Sequence, residues 1–149
     1  MIHYRNDVRK SGVDANALKA TMRALLQSVD EADATISITL VHDTAIRELN
    51  RRHRGKDKPT DVLSFPLDPS ELEGPERLLG DIVISVDTAR RQAADYDAPL
   101  QREVYRLAIH GLLHVLGHDH MEPEERAAME AQERRLAAAI GMPWPYDEP

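Results

Sequence analysis

Residues 99–117, PLQREVYRLAIHGLLHVLG, decide the fold. Pro99 suits the first turn of a helix, where its missing N–H removes no hydrogen bond. Gly117 is well placed to end that helix in a left-handed conformation. Between them Leu100, Val104, Leu107 and the apolar run that follows predict a helix buried on much of its circumference rather than along one stripe.

The flanking segments supply what packs around such a helix. Leu18, Met22, Leu25, Leu26 and Val29 recur at three- and four-residue spacings behind Asp14, a suitable N-cap, so 14–29 reads as an amphipathic helix. TISITLV, residues 35–41, alternates Ile36, Ile38 and Leu40 with Ser37, Thr39 and Val41, the period of a strand. Asp43 or Thr44 can cap a short helix carrying Ile46 and Leu49. DVLSFPL, residues 61–67, reads as a strand that Pro66 confines to an edge or a strand end. LLGDIVIS, 78–85, is a third clear strand, and a further one at 2–4 would be short. Asp87 is positioned to cap a helix reaching about Tyr96, and DPSELEGPER, 68–77, reads as an acidic surface loop. Pro123 starts a last helix that Gly141 closes, and MPWPYDEP, 142–149, is too proline-rich to extend it. Strands and helices are mixed without strict alternation. The expected class is α/β, α+β-like, with a small mixed sheet of about four strands flanked by helices in one domain spanning 1–149.

The chain's 149 residues are enough to bury roughly two-thirds of its unfolded surface in one core. It holds no cysteine, which excludes disulfides and thiolate ligands, so any transition metal must be held by histidine or carboxylate. MIHYRNDVRKSG, residues 1–12, has no apolar segment behind its basic residues, and no run approaches the ~18 apolar residues that span a bilayer. A soluble cytoplasmic protein without a membrane partner is expected. The net charge of −7 argues against nucleic-acid binding through bulk positive charge, but the charge is uneven. Residues 47–58 carry six basic side chains (Arg47, Arg51, Arg52, Arg54, Lys56, Lys58) against Glu48 and Asp57, whereas 119–149 carry eight acids against three arginines. Such a basic cluster is compatible with a confined phosphate contact, and on its own usually marks a solvated face.

The buried helix also carries the chemistry. HGLLHVLGHDH, residues 110–120, holds four of the chain's seven histidines. Residues four apart on a helix lie roughly 40° apart around the axis and about 6 Å along it, so His110 and His114 face the same way and can share a metal ion. Past the Gly117 turn, His120 can complete the set, and His118 competes with it. Three neutral imidazoles would leave the fourth tetrahedral position to water, the arrangement of a catalytic rather than a structural site. Asp119 can orient a ligand or simply serve the turn. The spacing is that of the long zinc-protease motif, in which a glutamate after the first histidine is the general base. Here that position is Gly111, and peptide hydrolysis without the base forgoes assistance worth typically ~10²–10⁴-fold.

Three blocks in this order, RGKDKPTDVLSFP (54–66), LGDIVIS (79–85) and HGLLHVLGHDH (110–120), resemble the YbeY family of bacterial endoribonucleases, also described as ribosomal RNA maturation factors. The likeness extends over essentially the whole chain. It implies a small mixed sheet flanked by helices and one metal ion, zinc or another divalent ion, held by His110, His114 and His120 at the end of a central helix. It implies Arg54 in an RNA-binding cleft, single-strand-specific RNA cleavage, maturation of the 3′ end of small-subunit ribosomal RNA and a part in ribosome quality control. The implied partners are single-stranded and ribosomal RNA and the ribosome or its small-subunit proteins, with no DNA substrate. Arg54 and His114 are then the catalytic candidates, Lys56 and Lys58 lesser RNA-guiding residues, and Asp119 and His118 candidates for positioning a ligand. One position departs from the family, where tyrosine is common and His118 stands here, a fourth potential ligand or proton carrier. A metal-bound water with its pKa lowered toward ~7 is a nucleophile at neutral pH, and a planar guanidinium suits bidentate phosphate binding. Two other readings compete: a zinc peptidase-like hydrolase taking its base from Glu103 or Asp119, and a non-catalytic ribosome assembly factor with a structural metal.

Overall fold

The structure, a computed structural model, describes residues 1–67, 77–118 and 122–144. Its strands are β1 (Ile2–Asn6), β2 (Thr35–Val41), β3 (Val62–Pro66) and β4 (Leu78–Ser85). Its helices are α1 (Ala15–Ser28), α2 (Asp43–Arg54), α3 (Val86–Asp95), α4 (Leu100–Val115) and α5 (Pro123–Ala139). The sheet order is β1-β2-β4-β3, with β1/β2 and β2/β4 parallel and β3/β4 antiparallel. This is the small mixed sheet flanked by helices that the sequence predicts. The acidic loop expected at 68–77 lies, apart from Arg77, outside the described residues.

Strand alternation sorts the two faces. Ile36, Ile38 and Leu40 of β2 and Ile82 and Ile84 of β4 are fully buried against Leu18, Met22 and Leu25 of α1, Leu107 and Leu112 of α4 and Leu136 of α5. On the opposite face α2 covers only part of the sheet, where Ile46 and Leu49 pack on Val41, Leu63, Val83 and Phe65. β3 is an edge strand, so Pro66 withholds no hydrogen bond from a strand beyond it. β1, short as it is, holds because it pairs along its length with β2 from Ile2 opposite Ile36 to Asn6 opposite Leu40, while Ile2 and Tyr4 lean on the core.

α4 meets the expectation of a helix buried on most sides, with Val104, Leu107, Ala108, Ile109, Leu112 and Leu113 all at 1% exposure or less. Its end is a Schellman motif: Gly117, at φ 98°, donates to the His114 carbonyl and His118 N–H to that of Leu113. Pro99 is the N-cap residue rather than the first helical one.

Two caps differ from the sequence expectation. Ser85, not Asp87, caps α3, its hydroxyl accepting from Thr88 N–H at 3.2 Å. Asp87 instead reaches across to accept the Asp43 N–H at 2.9 Å, capping α2 from outside, because the N-cap of α2 is His42, whose side chain makes no capping bond. Asp43 returns the contact, accepting from Ser85 Oγ at 2.6 Å, Thr88 Oγ1 at 2.7 Å and Arg91 at 2.8 Å. Asp14 caps α1 as expected.

Candidate metal centre

The last two turns of α4 bring His110 and His114 together. Their Nε2 atoms are 3.1 Å apart and the rings meet edge to face, with centroids at 4.6 Å. Two ligands of a tetrahedral zinc, each roughly 2.0–2.1 Å from it, stand about 3.3 Å from each other, so the pair fits as half of such a set. The Glu133 carboxylate of α5 lies 3.5 Å from His110 Nδ1. That is long for a hydrogen bond, and it places the carboxylate on the side of the ring away from Nε2. Among the described residues no third histidine or carboxylate completes a metal-binding group. His120 and Asp119, the sequence candidates for that place, lie outside the described residues.

His118 is described, and it lines a different depression of about 610 Å³, with Ser28, Asp30, Gln132 and Arg135. Neither His110 nor His114 lines that depression. Glu103, a candidate base under the peptidase reading, is fully buried and bound by Arg106, with an Arg106 Nε to Glu103 Oε1 distance of 2.7 Å. It also precedes His110 by about 10 Å of helix axis.

Gly111 acquires a structural reason. A Cβ placed there would come within 2.8 Å of Ile82 Cγ2 and 3.2 Å of Ser64 Oγ. Ser64 donates to the Gly111 carbonyl at 3.0 Å, so α4 is seated directly on β3 and β4 at the level of the histidines. Any side chain there, a protease's glutamate included, would have to displace Ile82.

Arg54 ends α2, followed by Gly55 in the left-handed region at φ 69°. The neighbouring arginines are engaged. Arg47 pairs with Asp57 at 2.8 Å and holds that carboxyl below its ordinary range, while Arg51 and Arg52 share Glu48. Among the described residues no hydrogen bond or ion pair takes up the side chain of Arg54, nor those of Lys56 and Lys58, and all three are exposed. The loop that carries them is braced at both ends. Buried Asn50 donates to the Lys58 carbonyl at 2.9 Å. At the far end Arg106 donates to Gln92 Oε1 and Gln92 Nε2 to Asp61 Oδ2, both at 3.2 Å, and Asp61 takes the Val62 N–H at 2.7 Å. Since Arg106 is one turn before His110, the same helix that presents the imidazoles steadies the loop after Arg54. β3 lies between the two: Ser64 faces α4, and its neighbour Phe65 packs against His53 of α2 with ring centroids 4.9 Å apart.

Glu133, Asn50, Gln92 and Asp61 were not singled out by sequence reasoning. Glu133 alone left a signal, a carboxylate set at helical spacing among Met129, Leu136 and Ala137, all buried.

Comparison with known proteins identifies the family. A family model described as Endoribonuclease YbeY matches residues 3–141. A protein named Endoribonuclease YbeY from Desulfitobacterium hafniense is 47% identical over 126 residues, covering 80% of this chain and 80% of its own. One of the same name from Moorella thermoacetica is 45% identical over 137 residues, covering 84% and 88%. The solution structure of TM1509 from Thermotoga maritima superposes with a TM-score of 0.66 at 26% identity, over 94% of this chain and 89% of that one. With a family model spanning nearly its whole length and relatives this similar, the chain belongs to the YbeY endoribonuclease family, enzymes that cut RNA internally.

Proposed function

We propose that the chain is one cytoplasmic, metal-dependent endoribonuclease domain, specific for single-stranded RNA, that acts with the ribosome in maturing the 3′ end of small-subunit ribosomal RNA. His110, His114 and His120 hold one zinc ion, and Arg54 binds the scissile phosphate with Lys56 and Lys58 guiding the strand. The observation that carries this reading is the 3.1 Å approach of the His110 and His114 Nε2 atoms on a helix seated tightly against the sheet. The two ring nitrogens converge on one place. When bound, the ion supplies a water acidified toward ~7 and a positive charge for the phosphate oxygens.

The protein's own groups do the rest. Glu133 holds the His110 ring in the orientation that keeps Nε2 outward. The braced loop presents the Arg54 guanidinium, whose planar fork matches two phosphate oxygens. Among the described residues no helix is long and apolar enough to cross a membrane. Metal analysis of the purified protein, combined with cleavage of single-stranded RNA with and without chelator, tests the reading. His114→Ala should lose both metal and cleavage, and Arg54→Glu should keep the metal and lose cleavage. Full cleavage by metal-free protein would refute it.

A further inference from the structure

The half of the sheet that α2 leaves uncovered carries a second row of chemistry. Strand register sets His3 beside Ser37, Ser37 beside Asp81 and Asp81 beside Phe65, one residue from each strand across the full width of the sheet. These residues line a groove of about 680 Å³, within the range of small-ligand sites. Thr39 and Val83 form the next row, and α2 closes one side with Leu49 and His53. The groove thus has an aromatic wall, Phe65 held edge-on by His53, beside a floor of two hydroxyls and one carboxylate. Asp81 is half-buried, and among the described residues nothing donates a hydrogen bond or pairs a charge to it. A carboxylate in the middle of a central strand is an unusual choice unless something else supplies its donors.

We propose that this groove is a nucleobase subsite that selects guanine from the single-stranded RNA substrate. The proposal rests on the endoribonuclease reading given above. An ionised carboxylate only accepts hydrogen bonds. Among the RNA bases guanine alone offers two adjacent N–H donors on its pairing edge, N1–H and N2–H. Adenine and cytosine place an acceptor beside their amino group, and uracil flanks its one N–H with two carbonyls. The Phe65 and His53 rings give a face for stacking, the usual mode by which proteins hold splayed single-stranded bases. The same carboxylate repels a phosphate, so the backbone must run along the rim. There Arg5, paired at the surface with Asp7, and His3 border the groove on one side. On the other side Arg54 follows His53 directly at the end of α2. A strand with its base in the groove therefore has the Arg54 side of the molecule as its exit.

The test is binding of uncleavable 2′-O-methyl octauridylates carrying one central guanine, inosine or adenine, followed by fluorescence anisotropy with the full chain. The parent should favour guanine over adenine by about tenfold, with inosine, which lacks the N2 amino group, in between. Asp81→Asn, of nearly equal size, should bring the guanine-to-adenine ratio to about one. Phe65→Leu should weaken every oligonucleotide about five- to tenfold while keeping the ratio. A uniform rise in affinity for all three RNAs in Asp81→Asn would mean that the carboxylate only repels the backbone, and would overturn the subsite. A base profile unchanged by both substitutions would give this face to a protein partner and overturn it equally. A parent that cleaves single-stranded RNA without guanine preference defeats the subsite alone, whereas one that neither binds nor cleaves RNA defeats the endoribonuclease reading with it.

Discussion

At the scale of single residues, Gly111 shows how a missing side chain can be read in two ways. By sequence it is the absent base of a protease motif, and by structure it is the point where α4 touches Ile82 and Ser64. Both readings hold, and the second gives a prediction independent of catalysis. Gly111→Ala gains up to about 1 kcal/mol of helix propensity but forces a methyl group against a fully buried Ile82, an overpacking cost of typically 1–3 kcal/mol. A net loss of about 1 kcal/mol in urea unfolding is expected. Because Ile82→Ala removes the clashing atoms, the double variant should lose less than the sum of the two by about 1 kcal/mol, and strict additivity would show that the contact is not the cause. Glu133 makes the complementary point about the metal. If it orients His110, Glu133→Gln should weaken zinc binding by about 10–100-fold in competition with a chromophoric chelator, with the helical circular dichroism unchanged.

At the scale of elements, the periodic stripe of α1, the apolar run of α4 and the alternation of β2 were legible because burial writes itself into local spacing, and α5 was legible from Pro123 and Gly141 at its ends. The caps of α2 and α3 were not, because they are exchanged between helices that are distant in sequence: Asp87 serves α2, while Asp43 serves Ser85 and Thr88. Local rules assign a cap to the nearest acid, and here the nearest acid was committed elsewhere. The exchange should be visible in acid. Burial alone would raise the Asp43 carboxyl, but hydrogen bonds from Ser85, Thr88 and Arg91, with the Arg91 charge, hold it below its ordinary value of about 3.9. A carboxyl lowered in the folded state adds stability that is fully present above the unfolded value and is lost as pH falls through the folded one. Asp43→Asn should therefore cost about 1–2 kcal/mol at pH 7, and the difference from the parent should shrink below about pH 4. Urea midpoints measured at pH 7 and pH 3 decide this; a constant difference would remove Asp43 from the acid response.

At the scale of the whole molecule, the class and strand number were legible, but the order β1-β2-β4-β3 and the two different faces of the sheet were not. Ser37, Thr39 and Asp81 sit at alternate positions of the two central strands, and only the pairing of those strands turns three unremarkable polar residues into a groove. The Arg54 block was found through family likeness rather than through its charge, and the structure supplies the physical reason to separate Arg54 from its neighbours. In a molecule of net charge −7, three of the six cations at 47–58 are already held in ion pairs, Arg47 with Asp57 and both Arg51 and Arg52 with the one Glu48. Counterion release should then count the remaining three, Arg54, Lys56 and Lys58, and not all six. For single strands the slope of log affinity against log salt is about −0.7 per phosphate neutralised, which gives about −2, or a loss of about 20-fold between 50 and 200 mM salt. Arg54→Ala should make that slope shallower by about 0.7, whereas Arg52→Ala should change it less, since Arg52 is held in the ion pair that Glu48 shares with Arg51. A parent slope near −4, or equal changes from the two substitutions, would show that RNA competes the surface ion pairs apart and uses the whole cluster.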